Sequence, residues 1–176
     1  RIAEKIFDAG GVLSREIGKT FDFYGHLDVG TQANELHDFD YSFDGMLTRQ
    51  TDGRGTVTEY DYDALARLTQ MVEDVGGVDP NTGESTTDYL YDVGDRLVSV
   101  THPNGSVTGY LYDDLGDLVS QSSPDTGDTT FAYDAAGNVT SVTDAQGQET
   151  VFSYDAENRL LLADAPGIAD DVSYTY

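Results

Sequence analysis

Residues 131–147 read Phe131-Ala132-Tyr133-Asp134-Ala135-Ala136-Gly137-Asn138-Val139-Thr140-Ser141-Val142-Thr143-Asp144-Ala145-Gln146-Gly147. Phe131 and Tyr133 stand two apart, so in an extended chain both rings lie on one face. Asp134 then opens a turn whose fourth residue is Gly137. An Asp carboxylate accepts a backbone N–H two residues on, and Gly takes up the left-handed conformation that closes such a turn. Val139–Thr143 is β-branched and half polar, which reads as a strand. Asp144-Ala145-Gln146-Gly147 is a second turn of the same kind. The phrase is therefore two short strands and two tight turns, with no helix signal.

Working outward, the aromatic-x-aromatic-Asp signature recurs. It stands at Tyr41-Ser42-Phe43-Asp44, Tyr60-Asp61-Tyr62-Asp63, Tyr89-Leu90-Tyr91-Asp92, Tyr110-Leu111-Tyr112-Asp113, Phe131-Ala132-Tyr133-Asp134 and Phe152-Ser153-Tyr154-Asp155, and again, without its Asp, at Tyr174-Thr175-Tyr176. The first aromatics are 19, 29, 21, 21, 21 and 22 residues apart. Six residues after Tyr62, Tyr91, Tyr112, Tyr133 and Tyr154 comes an aliphatic: Leu68, Leu97, Leu118, Val139 and Leu160. Gly116, Gly137 and Asn158 hold the fourth turn position; Asp95 varies it and Ala66 departs from it. Second turns follow at Asp52–Gly55, Asp79–Gly83, His102–Gly105, Ser123–Gly127 and Asp144–Gly147. One such unit cannot cover its own aromatic face, so neighbours must stack. The predicted fold is all-β: antiparallel β-hairpin repeats of about 21 residues stacked into a continuous curved sheet.

The expected organisation is a degenerate or flanking region at 1–40 and a repeat array at 41–176, with a loop insertion near 73–88 and a truncated last repeat. In the first part, Phe7-Asp8-Ala9-Gly10-Gly11-Val12-Leu13 and Phe21-Asp22-Phe23 echo the signature. Thr31-Gln32-Ala33-Asn34-Glu35-Leu36-His37 is the one stretch that suggests a short helix.

Composition narrows the function. The 176 residues carry 33 acids against nine bases, a net charge of -24. It is spread evenly, -11 over residues 1–88 and -13 over 89–176. Such a surface repels nucleic-acid phosphates and anionic membranes. An aromatic share of 11% separates it from disordered acidic chains. With no Cys, disulfides, thiolate metal sites and Cys nucleophiles are excluded. No apolar run is long enough to span a membrane, and no signal peptide is visible. The chain opens at Arg1 and stops in mid-signature at Tyr176, which suggests a piece of a larger protein.

The 21-residue phrase resembles the YD-repeat, or Rhs (rearrangement hot spot), family, clearly over residues 41–176 and weakly over 1–40. The resemblance implies a sheet spiralling into a hollow shell. Family shells enclose a C-terminal toxin domain, as in polymorphic toxins and Tc insecticidal complexes, and related ones sit in teneurin-like surface proteins. It therefore implies a non-enzymatic structural segment of a secreted or cell-surface, bacterial protein. The implied partners are the remainder of the polypeptide and an enclosed effector. The alternative is an adhesion module that binds glycan or protein through exposed aromatics.

The repeat positions are Tyr62, Asp63, Tyr91, Asp92, Tyr112, Asp113, Gly116, Tyr133, Asp134, Gly137, Tyr154 and Asp155. Each Asp precedes a turn that needs its acceptor, so turn capping is the favoured role. No cofactor is expected. Calcium is the one metal the acids suggest, with Asp113 beside Asp114 and Asp170 beside Asp171 as the pairs to consider, although EF-hand ligand spacing is missing. His26 and His37, near Asp28 and Glu35, are weak zinc ligands on paper, since no i, i+4 His pair exists. Glycosidase chemistry needs two placed carboxylates, and among 33 acids some pair meets any distance, so the signal is empty. Neither a G-x-S-x-G elbow nor a phosphate loop is present.

Overall fold

The computed structural model describes residues 2–7, 13–32, 35–77, 83–167 and 172–176, and side chains over 19–30, 37–77, 83–167 and 172–176. The chain divides into two compact units, Arg1–Tyr89 and Leu90–Tyr176. Unit one holds β1 (Ile2–Phe7), β2 (Leu13–Phe21), β3 (Leu27–Gln32), β4 (Glu35–Tyr41), β5 (Leu47–Thr51), β6 (Val57–Tyr62), β7 (Leu68–Glu73) and most of β8 (Ser85–Tyr91). Unit two holds the end of β8, then β9 (Leu97–Thr101), β10 (Val107–Tyr112), β11 (Leu118–Ser123), β12 (Gly127–Tyr133), β13 (Val139–Thr143), β14 (Glu149–Tyr154), β15 (Leu160–Asp164) and β16 (Val172–Ser173). Within each unit the strands pair antiparallel with their chain neighbours. The fold is all-β, and among the described residues no helix is long and apolar enough to cross a membrane.

Two expectations fail here. The stretch at 31–37 is not a helix: Thr31 and Gln32 end β3, Glu35–His37 begin β4, and Thr31 pairs with Leu36. Cross-strand pairing outweighs the weak helix propensity of so short a segment. The signature at 41–44 is also out of frame. Tyr41 is the last residue of β4 and Ser42 the first of the turn, while Phe43 lies in the turn at 86% exposure. The aromatic pair of that repeat is Phe39 and Tyr41, which puts Phe39 at 21 residues from Tyr60. Phe21-Asp22-Phe23 is likewise one aromatic, a capping Asp and a turn residue, with Phe23 96% exposed. Of the predicted insertion, 78–82 lie outside the described residues; β7 runs to Glu73 and β8 starts at Ser85.

The two hairpins of a repeat share a turn but differ in register. Both close with a three-residue loop: Asp134 N–H donates to Asn138 O at 2.9 Å and Gly137 N–H to Asp134 O at 3.1 Å, as Asp144 does with Gln148 and Gly147. Only the hairpin after the aromatic pair carries a β-bulge. Tyr133 faces Val139 but Ala132 faces Ser141, which leaves Thr140 extra. The same slip leaves Thr48, Thr69, Val119 and Leu161 extra in their hairpins. A bulge tightens local twist and resets the alternation of side chains. Val139 and Val142, three apart rather than two, thus oppose Tyr133 and Phe131. Thr48 and Thr69 donate their hydroxyls across the bulge to Asp40 O and Asp61 O, both at 3.2 Å.

Burial is thin. Among the described residues only Val57 and Val100 are buried apolar side chains, and Thr87, Thr108 and Asp74 are buried polar ones. The aromatics of the pairs from Phe39 to Tyr154 are half-buried and the residues between them, such as Leu111 and Ala132, exposed, while Tyr174 and Tyr176 are themselves exposed. The rings therefore line one face of the sheet and are covered only by their cross-strand neighbours; they do not fill a closed core.

Candidate functional site

The chemistry-bearing residues of this chain gather at the hairpin that follows each aromatic pair. Tyr62, Tyr91, Tyr112, Tyr133 and Tyr154 each end a strand, and Asp63, Asp92, Asp113, Asp134 and Asp155 each open the loop behind it. One carboxylate oxygen of each Asp accepts two amides. Asp63 Oδ1 takes Leu65 N–H at 2.9 Å and Arg67 N–H at 3.1 Å; Asp134 Oδ1 takes Ala136 and Asn138 N–H, both at 2.9 Å. Asp92, Asp113 and Asp155 repeat the pattern. Gly116 and Gly137 sit at the fourth position with φ of 93° and 83°, where a β-carbon would be strained. Ala66, Asp95 and Asn158 hold the same conformation at φ of 63°, 64° and 60°.

The second oxygen of Asp63, Asp92, Asp134 and Asp155 is used by the side chain of the fifth turn residue, a role the aromatic-Asp signature alone does not announce; at Asp113 that residue is Asp117, which offers its amide. Arg67 Nε and Nη2 reach Asp63 Oδ2 at 2.7 and 2.6 Å, a two-pronged pair. Arg96 with Asp92 and Arg159 with Asp155 are alike, Asn138 donates to Asp134 Oδ2 at 2.9 Å, and His26 Nδ1 lies 2.9 Å from Asp22 Oδ2. The signal is visible once the frame is known, as Asp-x-x-x-[Arg/Asn/His]. This residue also reaches the next hairpin: Arg96 Nη1 donates to Asp113 O at 3.0 Å with its guanidinium over the Tyr112 ring, and Asn138 donates to Asn158 Oδ1 at 2.9 Å.

Three of the tyrosines tie their repeat to the one before. Tyr62, Tyr112 and Tyr133 donate their hydroxyls to Leu47 O, Leu97 O and Leu118 O at 2.8, 3.0 and 2.9 Å. At Leu47 and Leu118 the accepting carbonyl belongs to the residue just before the bulge position. Hydroxyl and carboxylate are thus both spent on holding hairpins in register.

The electrostatics agree. The Arg67 amide, then the Arg67 guanidinium and the Leu65 amide, hold the Asp63 carboxyl below the usual range against a smaller opposing effect of burial. The Arg96 and Arg159 amides lead the same shift at Asp92 and Asp155, and the Asn138 side-chain amide leads it at Asp134. At Asp22 and Asp52 burial is the largest single influence and acts upward, but hydrogen bonds from His26 and from Thr56 and Arg54 together outweigh it. The Tyr133 hydroxyl is pushed up by burial and then by Asp117 and Asp113.

The acid pairs considered for calcium stand in different situations. Asp113 is the turn cap just described and Asp114 lies exposed in the loop, while Asp170 and Asp171 fall outside the described residues. Among the described residues no three His, Cys, Asp or Glu side chains are grouped to hold an ion. His26 stacks on Tyr41 at 4.9 Å and pairs with Asp22, and His102 opens a turn with Nε2 at 3.1 Å from Thr108 Oγ1. An open polar groove of about 430 Å³ in unit one is lined by Gln50, Asp52, Thr58, Glu73 and Asp74, among others. Its Asp52 carboxylate serves a turn, accepting Arg54 and Thr56 amides at 2.8 and 2.9 Å.

Comparison with known proteins points the same way. The family model described as RHS Repeat matches residues 41–79, 91–128, 112–149 and 133–167. The crystal structure of TcdB2-TccC3-Cdc42 is similar with a TM-score of 0.69 at 16% identity, over 92% of this chain and 10% of that one. That of TcdB2-TccC3-TEV is similar with a TM-score of 0.69 at 17% identity, over 92% and 10%. At such identity the likeness is one of fold, and this chain spans about a tenth of those chains' length. No curated protein matches it.

Proposed function

This chain belongs to the RHS-repeat family, and from that premise we propose that it is a non-enzymatic wall segment of a large secreted bacterial protein, whose β-shell encloses or presents a C-terminal effector. The observation that carries the reading is the use made of the reactive groups. Caps hold their carboxylates, Tyr hydroxyls bond backbone carbonyls, and both contacts recur with the repeat. A catalytic site gathers unlike residues at one place; here like residues recur along the sheet. A row of half-covered rings on one face suits a wall that meets further protein of the same polypeptide. The organisation that goes with it is a repeat array over 41–176 preceded by degenerate repeats.

Limited proteolysis of the whole parent protein tests the proposal. A shell survives as one resistant body with its effector inside. Cleavage into small separate domains, or early release of the effector under native conditions, overturns it.

A further inference from the structure

We propose that the hairpin tips of unit one form a binding ridge for a basic polypeptide segment with regularly spaced apolar anchors. The inference does not depend on whether the sheet encloses anything. Phe23, Tyr24 and Phe43 are 96%, 62% and 86% exposed, and Leu65 on the following hairpin is 65% exposed. All four occupy the second or third position of their loops; in unit two the same positions hold the exposed aliphatics Val93 and Leu115 beside Ala135, Ala136, Ala156 and Glu157, and no aromatic. The turn is held by its first, fourth and fifth residues, so these bulky groups are not needed to close it. Their rings nevertheless touch: Phe23 meets Tyr24 edge to face at 5.5 Å, and Tyr24 meets Phe43 of the next hairpin at 6.2 Å. Contiguous exposed aromatics of this kind mark interaction surfaces, and aromatic anchors dominate binding energy there.

The chemistry of the occupant follows from shape and charge. Perpendicular rings, at 86° and 80°, make knobs rather than the flat platform on which a sugar stacks. Asp44 stands exposed beside Phe43, while the His26 and Arg67 side chains of these turns are paired with Asp22 and Asp63. Ring faces and a carboxylate attract cations. A second copy of this chain would bring another net charge of -24 to the contact. Hairpins two strands wide place successive tips about 10 Å apart, and a polyproline-II chain advances about 3.1 Å per residue with three residues per turn, so anchors at every third position face the ridge together.

The probe is a labelled synthetic peptide with Leu at every third position and Arg between, titrated with the whole chain at physiological ionic strength and followed by fluorescence anisotropy. The double substitution Phe23→Ser with Phe43→Ser is expected to weaken binding about tenfold or more while circular dichroism is unchanged. Leu115→Ser, on a tip of unit two, leaves it unchanged. Asp44→Lys weakens the Arg peptide and strengthens a Glu counterpart, which keeps the test alive should the double variant fold poorly. Equal binding by wild type and double variant reduces the effect to net charge and overturns the proposal, as does no binding by the wild type. A dimer seen in sedimentation and dissolved by the double substitution assigns the ridge to a second copy and overturns it too.

Discussion

Replacing Ala66 by glycine should make this protein more stable, against the general rule that glycine weakens β-structure. Ala66 holds φ at 63° as the fourth residue of its turn, with its amide bonded to Asp63 O at 3.0 Å. An L-residue in this conformation costs about 1–2 kcal/mol. Glycine removes that strain but frees the unfolded chain, an opposing effect of about 0.4–1 kcal/mol. The balance is a gain of about 0.5–1 kcal/mol, or about 3–6 °C in the melting of a unit of this size. The mirror substitution sits in unit two. Gly137 has φ at 83°, and a β-carbon built there meets nothing within 4 Å, so Gly137→Ala isolates the conformational effect and should cost about the same 0.5–1 kcal/mol. Urea denaturation of both variants, followed by circular dichroism, measures the pair. If Ala66→Gly is neutral or destabilising, the left-handed turn is not where strain resides and the reasoning fails.

Tyr133→Phe removes the hydroxyl that bonds Leu118 O at 2.9 Å and should destabilise unit two by about 0.5–1.5 kcal/mol in the same denaturation assay. Acid should unlock the turns. Asp63, Asp92, Asp134 and Asp155 have folded pKa values below the unfolded value, so their stabilisation is complete above about pH 4, the ordinary Asp value, and is lost as pH falls through the folded values. A circular-dichroism titration should show the loss, displaced to higher pH by Arg67→Ala, which removes one partner of Asp63. Salt should raise the melting temperature, because a net charge of -24 repels itself over a Debye length of about 30 Å at 0.01 M and about 8 Å at 0.15 M; a melting temperature flat in NaCl contradicts this.

What was legible in the chain was what is local. The Asp caps, the Gly positions and the strand–turn rhythm each depend on residues two to four apart, and composition reports such contacts directly. The frame at 41–44 was lost because Tyr41-Ser42-Phe43-Asp44 imitates the signature, and the arbiter lay further off: Leu47 follows Tyr41 by six and Gly45 follows Ser42 by three. The bulge was invisible for a related reason. It converts a two-residue alternation into the three-residue step of Val139 and Val142, which resembles no regular strand until the partner is known. The Tyr133 hydroxyl bond spans 15 residues, and no local pattern announces it. The ridge of Phe23, Tyr24 and Phe43 has no local signal either: its rings belong to loops about 20 residues apart and meet only once the hairpins pair.

Pairing confined to chain neighbours also sets how such a sheet responds to force. Within each unit a strand is held by the strand before it and the strand after it. A chain drawn from one end therefore peels one hairpin at a time, and the load at any moment is that of a single cap, bulge and tyrosine bond rather than of the whole assembly. Refolding runs the same way, each emerging hairpin finding its template already laid down beside it.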